Sequence, residues 1–396
     1  MKTFTKTFFI FFYIFLPFGK VGTGFLFSQT NTWTGAASTD WHTPCNWSLG
    51  TVPVCTDNVV IPSMVNKPIV SATACANTLN PQTGAGLTIL SPTLLHIGTC
   101  PCIPTINYGG PCTPNTWTQK ANLGGVARYG AVGFSIGTKG YIGTGWGGAN
   151  MQDFWEWDMC TNAWTQKANF GGSGRWAAVG FSIGTKGYIG VGGTYLQDFW
   201  EWDQTSNSWS QKTNFGGTAR FNGIGFSIGT KGYIGTGQDA IGSNRLDFWE
   251  WNQTSNVWTQ MANFGGAARY GAVGFSIGTK GYIGTGGNAS VTFQDFWEWD
   301  QTSNVWTQMA NFGGTTRQGA VGFSIGTKGY IGTGVNSTGS THYQDFWKWD
   351  QTSNVWTQMA NFGGAARELG IGFSIGTRGY IGTGFPSSQD FWEYCQ

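Results

Sequence analysis

Large and small residues alternate along residues 131–136: Val132, Phe134 and Ile136 are bulky, and Ala131, Gly133 and Ser135 are small. A period of two predicts a β-strand with one bulky and one small face. Gly137-Thr138-Lys139-Gly140 predicts a tight turn into a second strand, Tyr141-Ile142-Gly143-Thr144-Gly145. After a loop, Phe154-Trp155-Glu156-Trp157 predicts a third strand with both Trp on one face, and Trp164-Thr165-Gln166 a fourth.

The pattern recurs. GFSIGTKGYIGTG begins at Gly133 and returns, with at most one residue changed, at Gly180, Gly225, Gly274, Gly322 and Gly372. DFWEWD or a near copy starts at Asp153, Asp198, Asp247, Asp295, Asp345 and Asp390, and N-x-W-[TS]-Q has its Trp at 117, 164, 209, 258, 306 and 356. Four strands every 45–50 residues read as a β-propeller blade, because one such sheet cannot bury its own faces. The expected fold is all-β, a six-bladed propeller over residues 113–396. The small face of the first strand is expected to receive the next blade's Trp residues.

Composition supports short strands and tight turns. Charged residues are 10% of the 396, against about a quarter in ordinary domains, while Gly (64) and aromatics (16%) are over-used. The net charge is +2 and no run of like charges stands out, so no nucleic-acid partner is expected. Lys2 and Lys6 precede an apolar run from Phe8 to Phe18, which reads as a signal peptide over residues 1–28. No second apolar run is long enough to span a membrane, so the mature chain is expected outside the cytoplasm and not inserted in a bilayer. Eight cysteines fit that compartment as disulfides, and their spacings do not read as zinc. No metal or cofactor is expected.

The repeat resembles the Kelch family. An Arg precedes an apolar strand, a Tyr-Ile strand ends in Gly, and an aromatic lies seven residues before a Trp, as in Trp157/Trp164 and Trp202/Trp209. The family's double glycine appears mostly as Gly-Thr-Gly (Gly143-Thr144-Gly145). Residues 29–98 have no helical period and resemble, more loosely, a small solenoid-like β module of secreted bacterial surface proteins; residues 99–112 read as a linker.

The resemblance places Arg128, Arg175, Arg220, Arg269, Arg317 and Arg367 near the mouth of the central channel. One reading is an anion-binding ring; the favoured one is blade-to-blade pairing with the equally repeated Asp residues. The copies differ most at two places that the Kelch fold opens on one face. The residue after each Arg is Tyr129, Trp176, Phe221, Tyr270, Gln318 or Glu368. The loops between second and third strands read WGGANMQ, GTYLQ, QDAIGSNRL, GNASVTFQ, VNSTGSTHYQ and FPSSQ. Variable loops on a rigid scaffold fit a recognition surface, and four aromatics beside Gln and Glu suit a sugar or a protein hot spot. The expectation is a monomeric, secreted or cell-surface protein that binds an extracellular protein or glycan.

Catalysis has less support. No G-x-S-x-G elbow is present, and His342 is the only propeller histidine beside His42 and His96 of the first module. A copper-oxidase site of the Kelch-like kind needs two His. The repeated Glu156, Glu201, Glu250, Glu298 and Glu393 read as solvated or strand-pairing residues. A sialic-acid-processing enzyme of the Kelch-like type and a purely structural surface protein are the alternatives.

Strand counting also predicts how the ring closes. The strand around Trp117 precedes the first complete blade, and the chain ends after a third strand at Asp390-Phe391-Trp392-Glu393-Tyr394-Cys395-Gln396. The early strand then completes the last blade, and repeat alignment brings Cys112 beside Cys395 as a disulfide clasp. The alternative pairs Cys112 with Cys100 or Cys102 and leaves Cys395 for Cys160 or free.

Overall fold

The computed structural model describes residues 30–53, 57–63, 66–70, 74–76, 78–83, 85–89, 95–97 and 112–396. The signal-peptide reading and most of the linker lie outside them. Among the described residues no helix is long and apolar enough to cross a membrane.

Residues 116–395 form six four-stranded antiparallel sheets arranged as the blades of a propeller. Blade one comprises Val132–Ile136, Lys139–Gly143, Phe154–Asp158 and Ala163–Lys167, in spatial order. The first strands of successive blades adjoin, and Ile371–Ile375 of blade six returns to Val132–Ile136 of blade one. The first strand is therefore innermost. Thr116–Lys120 is the fourth strand of blade six, with Phe391 opposite Lys120 and Cys395 opposite Thr116. Pairing it there gives blade six the same four strands as the other blades.

Packing between blades follows the bulky–small alternation, with one correction. The small face of a first strand does not receive Trp. Gly180 of blade two faces Val132 of blade one, and Gly187 faces Phe134. The Trp packs further out: Trp202 meets Tyr141 and Phe154 of blade one at ring-centroid distances of 4.9 and 5.1 Å. Across the closure Trp157 meets Tyr380 and Phe391 in the same way, at 5.1 and 5.0 Å. Trp157, Trp202, Trp251, Trp299 and Trp349 are fully buried. Burying a side chain of this class contributes roughly 1.5–3 kcal/mol, so these contacts hold one blade to the next.

The Asn of the N-x-W motif also joins blades. Asn162 has φ 51°, in the left-handed region that Asn tolerates in turns. Its Oδ1 accepts Trp157 Nε1–H at 3.1 Å and the Ala121 N–H of the closing strand at 2.9 Å. Thr144, in the middle of Gly-Thr-Gly, also takes a positive φ, 60°, where glycine is the usual residue.

Of the two readings of the repeated glutamates, strand pairing holds, and they are partly buried. Tyr141 Oη donates to its register partner Glu156 at 2.7 Å, and the contact recurs at Tyr188–Glu201, Tyr233–Glu250, Tyr282–Glu298 and Tyr380–Glu393. Burial, with the carboxylate beside it, pushes the Tyr141 hydroxyl well above its ordinary pKa, so it stays a donor.

The first module pairs its strands in parallel. Asn58 lies opposite Thr78, Ile69 opposite Thr88 and Ala74 opposite Leu95, offsets of 20, 19 and 21 residues. Thr30 also lies opposite Asn58, at an offset of 28, so three of the four parallel pairs keep the near-constant offset of a solenoid coil. Trp33, Trp41 and Trp47 form its core. Cys45 is bonded to Cys160, in the turn between the third and fourth strands of blade one. Cys112 is bonded to Cys395, with Cα atoms 6.1 Å apart.

Candidate functional site

The six arginines are buried and fully engaged. Arg128 donates from Nη1 and Nη2 to the two oxygens of Asp153, each at 2.6 Å. It also donates to the Thr144 carbonyl at 2.9 Å and to the Val126 carbonyl at 3.0 Å. The bidentate pair recurs at Arg175–Asp198, Arg220–Asp247, Arg269–Asp295, Arg317–Asp345 and Arg367–Asp390. Each pair lies within one blade. This corrects the blade-to-blade pairing expected from the sequence: the Arg precedes the first strand and the Asp the third strand of the same sheet. The guanidinium forks are occupied, so they do not form an anion-binding ring. Burial raises the carboxyls of Asp153, Asp198, Asp247 and Asp390, but the Arg fork and a Trp indole N–H outweigh it and hold them below the usual range.

The arginines do not line the channel mouth either; the residues two positions later do. The N–H of Gly130 bonds to Leu369 O, Leu369 to Gly319 O, Gly319 to Gly271 O, Gly271 to Asn222 O, Asn222 to Ala177 O and Ala177 to Gly130 O, at 2.7–3.0 Å. All six residues have positive φ. These bonds make a closed backbone ring about the axis. The cavity they line holds about 110 Å3. A water occupies about 30 Å3 of liquid, so this space suits a few waters. A larger ligand does not fit in it.

That face carries both variable sets, and the backbone ties them together. Tyr129 N–H bonds to Trp146 O at 3.1 Å and Trp146 N–H to Tyr129 O at 2.8 Å. The same bridge joins Tyr270 to Gly287, Gln318 to Val335 and Glu368 to Phe385, and Phe221 pairs with Gln238. In blade two, Gly193 N–H bonds to Trp176 O at 2.8 Å. Each residue after an Arg is thus fixed to the start of its own loop.

Three of the four predicted aromatics, Tyr129, Trp176 and Phe221, form a continuous band, and Tyr270 stands outside it. Tyr129 meets Trp176 at 6.0 Å, Trp176 meets Phe221 at 5.7 Å, and Phe221 meets Tyr195 at 5.3 Å. In the other direction Tyr129 meets Phe385 at 5.4 Å, and Phe385 meets His342 at 5.7 Å. His342 Nε2 lies 3.5 Å from Glu368 Oε1. Burial pushes the Glu368 carboxyl above the usual range, against the opposing pull of His342. Tyr129, Trp176, Phe221, Tyr270, Gln318 and Glu368 are all half-buried. Sequence reasoning did not place Tyr195, Phe385 or His342 in this band. The aromatic first residue of the loop at Phe385 was the available signal.

The first module sits at the opposite end. Cys160 belongs to a turn between third and fourth strands, and Gly50 lies against Thr138 in a turn between first and second strands. In antiparallel blades both turns are at the end remote from the variable loops, so the module leaves the variable face uncovered.

A family model described as a domain of unknown function (DUF8693) matches residues 32–102. No curated protein matches the chain. The solved structure of YjhT superimposes with a TM-score of 0.60, covering 68% of this chain and 94% of its own at 15% identity. That similarity is one of fold: a six-bladed β-propeller preceded here by a parallel-stranded module.

Proposed function

We propose that this chain is a secreted or cell-surface binding protein of Kelch-like type, whose variable propeller face recognises an extracellular protein or glycan. The observation that carries the reading is the joining of both variable sets into one aromatic band with a polar sector at Gln318, Glu368 and His342. Rings pinned by edge-to-face contacts and backbone bridges lose little entropy on binding, which favours them as anchors. The Kelch likeness rests on the repeated Arg, Tyr-Ile and Trp pattern. The extracellular assignment rests on the N-terminal apolar run and the two disulfides. A sialic-acid-processing reading is disfavoured because the six repeated guanidinium groups are already held by carboxylates.

Trp176→Ala and Tyr270→Ala are each expected to weaken ligand binding by about 1–3 kcal/mol, the range for losing a stacked or hot-spot aromatic. Titration of a ligand identified by glycan array or pull-down, with thermal melts as the folding control, measures this. Unchanged affinity in both variants removes the aromatics of this face as the site.

A further inference from the structure

Two clefts lie against the outer strands beside the ends of variable loops, and they correspond to each other in part. The cleft of blade three holds about 450 Å3 and is lined by Gly216, Gly217, Trp249, Gln260 and Asn263, among others. That of blade five holds about 560 Å3 and is lined by Gly313, Gly314, Asp345 and Trp347, among others. In the repeat, Gly216, Gly217 and Trp249 align with Gly313, Gly314 and Trp347. Both volumes fall within the roughly 300–1,000 Å3 of small-molecule sites.

The floor of each cleft is a fixed indole. Trp249 Nε1–H donates to Asp247 Oδ2 at 2.8 Å, the oxygen that also accepts from Arg220. Gly216 lies under the ring, where an added Cβ would come within 2.8 Å of it. The equivalent indoles of Trp155, Trp200, Trp297, Trp347 and Trp392 donate to their own Asp at 2.7–2.9 Å.

Beside the indole stands a pair of exposed amides. Gln260 is the register partner of Trp249, and its Nε2 donates to Asn263 Oδ1 at 3.3 Å. The same bond recurs at Gln119–Asn122, Gln166–Asn169, Gln211–Asn214 and Gln308–Asn311. Neighbouring exposed positions drift between copies: the residue after the glycine pair is Val126, Ser173, Thr218, Ala267, Thr315 or Ala365. Gln and Asn do not drift. Packing accounts for repeated buried residues, but a bond between two solvated amides adds little stability and does not require this identity.

We infer that the blade-three cleft is a shallow site for a neutral saccharide, stacked on Trp249 and hydrogen-bonded by Gln260 and Asn263. Primary amides both donate and accept, as sugar hydroxyls do. The ionic groups at the blade-three cleft are paired internally, Asp247 with Arg220 and Arg245 with Asp239, which favours an uncharged ligand.

An array of neutral oligosaccharides probed with the full chain tests this. Gln260→Ser is expected to weaken neutral-glycan binding at least about tenfold. The Trp176→Ala/Tyr270→Ala variant retains that binding, which separates the cleft from the face. A bound saccharide also shifts the indole N–H resonance of Trp249 in the unmodified protein. No retained neutral saccharide, equal binding by the Gln260→Ser variant, or an unmoved Trp249 indole resonance overturns the inference.

Discussion

Replacing both Cys112 and Cys395 by Ser is expected to lower the unfolding free energy by about 4–5 kcal/mol, the upper part of the range for disulfides. The bridge spans 283 residues and joins the first strand of the ring to its last. Without it, Thr116–Lys120 is held to blade six by its ladder and by contacts such as Trp117 with Tyr394 and Phe346, both at 5.0 Å. The closing strand then becomes the first element to fray. Denaturant melts of the oxidised protein and the double Ser variant measure the loss, and hydrogen exchange at residues 116–120 locates it. Equal midpoints, or exchange no faster at that strand, would contradict a clasp.

Arg220→Met is expected to cost about 3–5 kcal/mol, because breaking a buried pair leaves the other charge uncompensated. Arg220 is fully buried, and its removal strands both Asp247 and the Thr236 carbonyl. The acid dependence follows from the lowered Asp247 carboxyl. A carboxyl held below its unfolded value of about 3.9 contributes stability that is fully present above that value. It is lost as pH falls through the folded value. Wild type therefore loses stability below about pH 4, and Arg220→Met loses less of it over the same window. Thermal melts from pH 7 to pH 2.5 check both parts. A Met variant as stable as wild type at pH 7 would show the pair to be dispensable.

The propeller was legible because its blades are near copies, so one period-2 strand pattern was read six times. The alignment of repeats also brought Cys112 beside Cys395, since the closing strand occupies a known repeat position. The Arg–Asp partnership was legible, but not its location. Arg128 precedes Asp153 by 25 residues and Asp153 precedes Arg175 by 22, so spacing alone does not separate pairing within a blade from pairing between blades. The axial ring was illegible for another reason. Its members are Gly130, Ala177, Asn222, Gly271, Gly319 and Leu369, which share a left-handed backbone conformation and no side-chain type. The band beyond Tyr129, Trp176 and Phe221 was hidden because Tyr195, His342 and Phe385 stand in loops of unequal length. The Cys45–Cys160 bond joins two modules with no common period.

Loop exchange tests the binding face most directly. The loops at residues 335–344 and 385–389, which carry His342 and Phe385, are replaced by the blade-two loop at residues 193–197. Full-length wild type and the exchanged variant are then compared on a glycan array and in a pull-down of extracellular proteins, with thermal melts alongside. Loss of a ligand that wild type captures, at an unchanged melting temperature, is the predicted result. Undiminished capture by the exchanged protein would contradict a recognition site on this face.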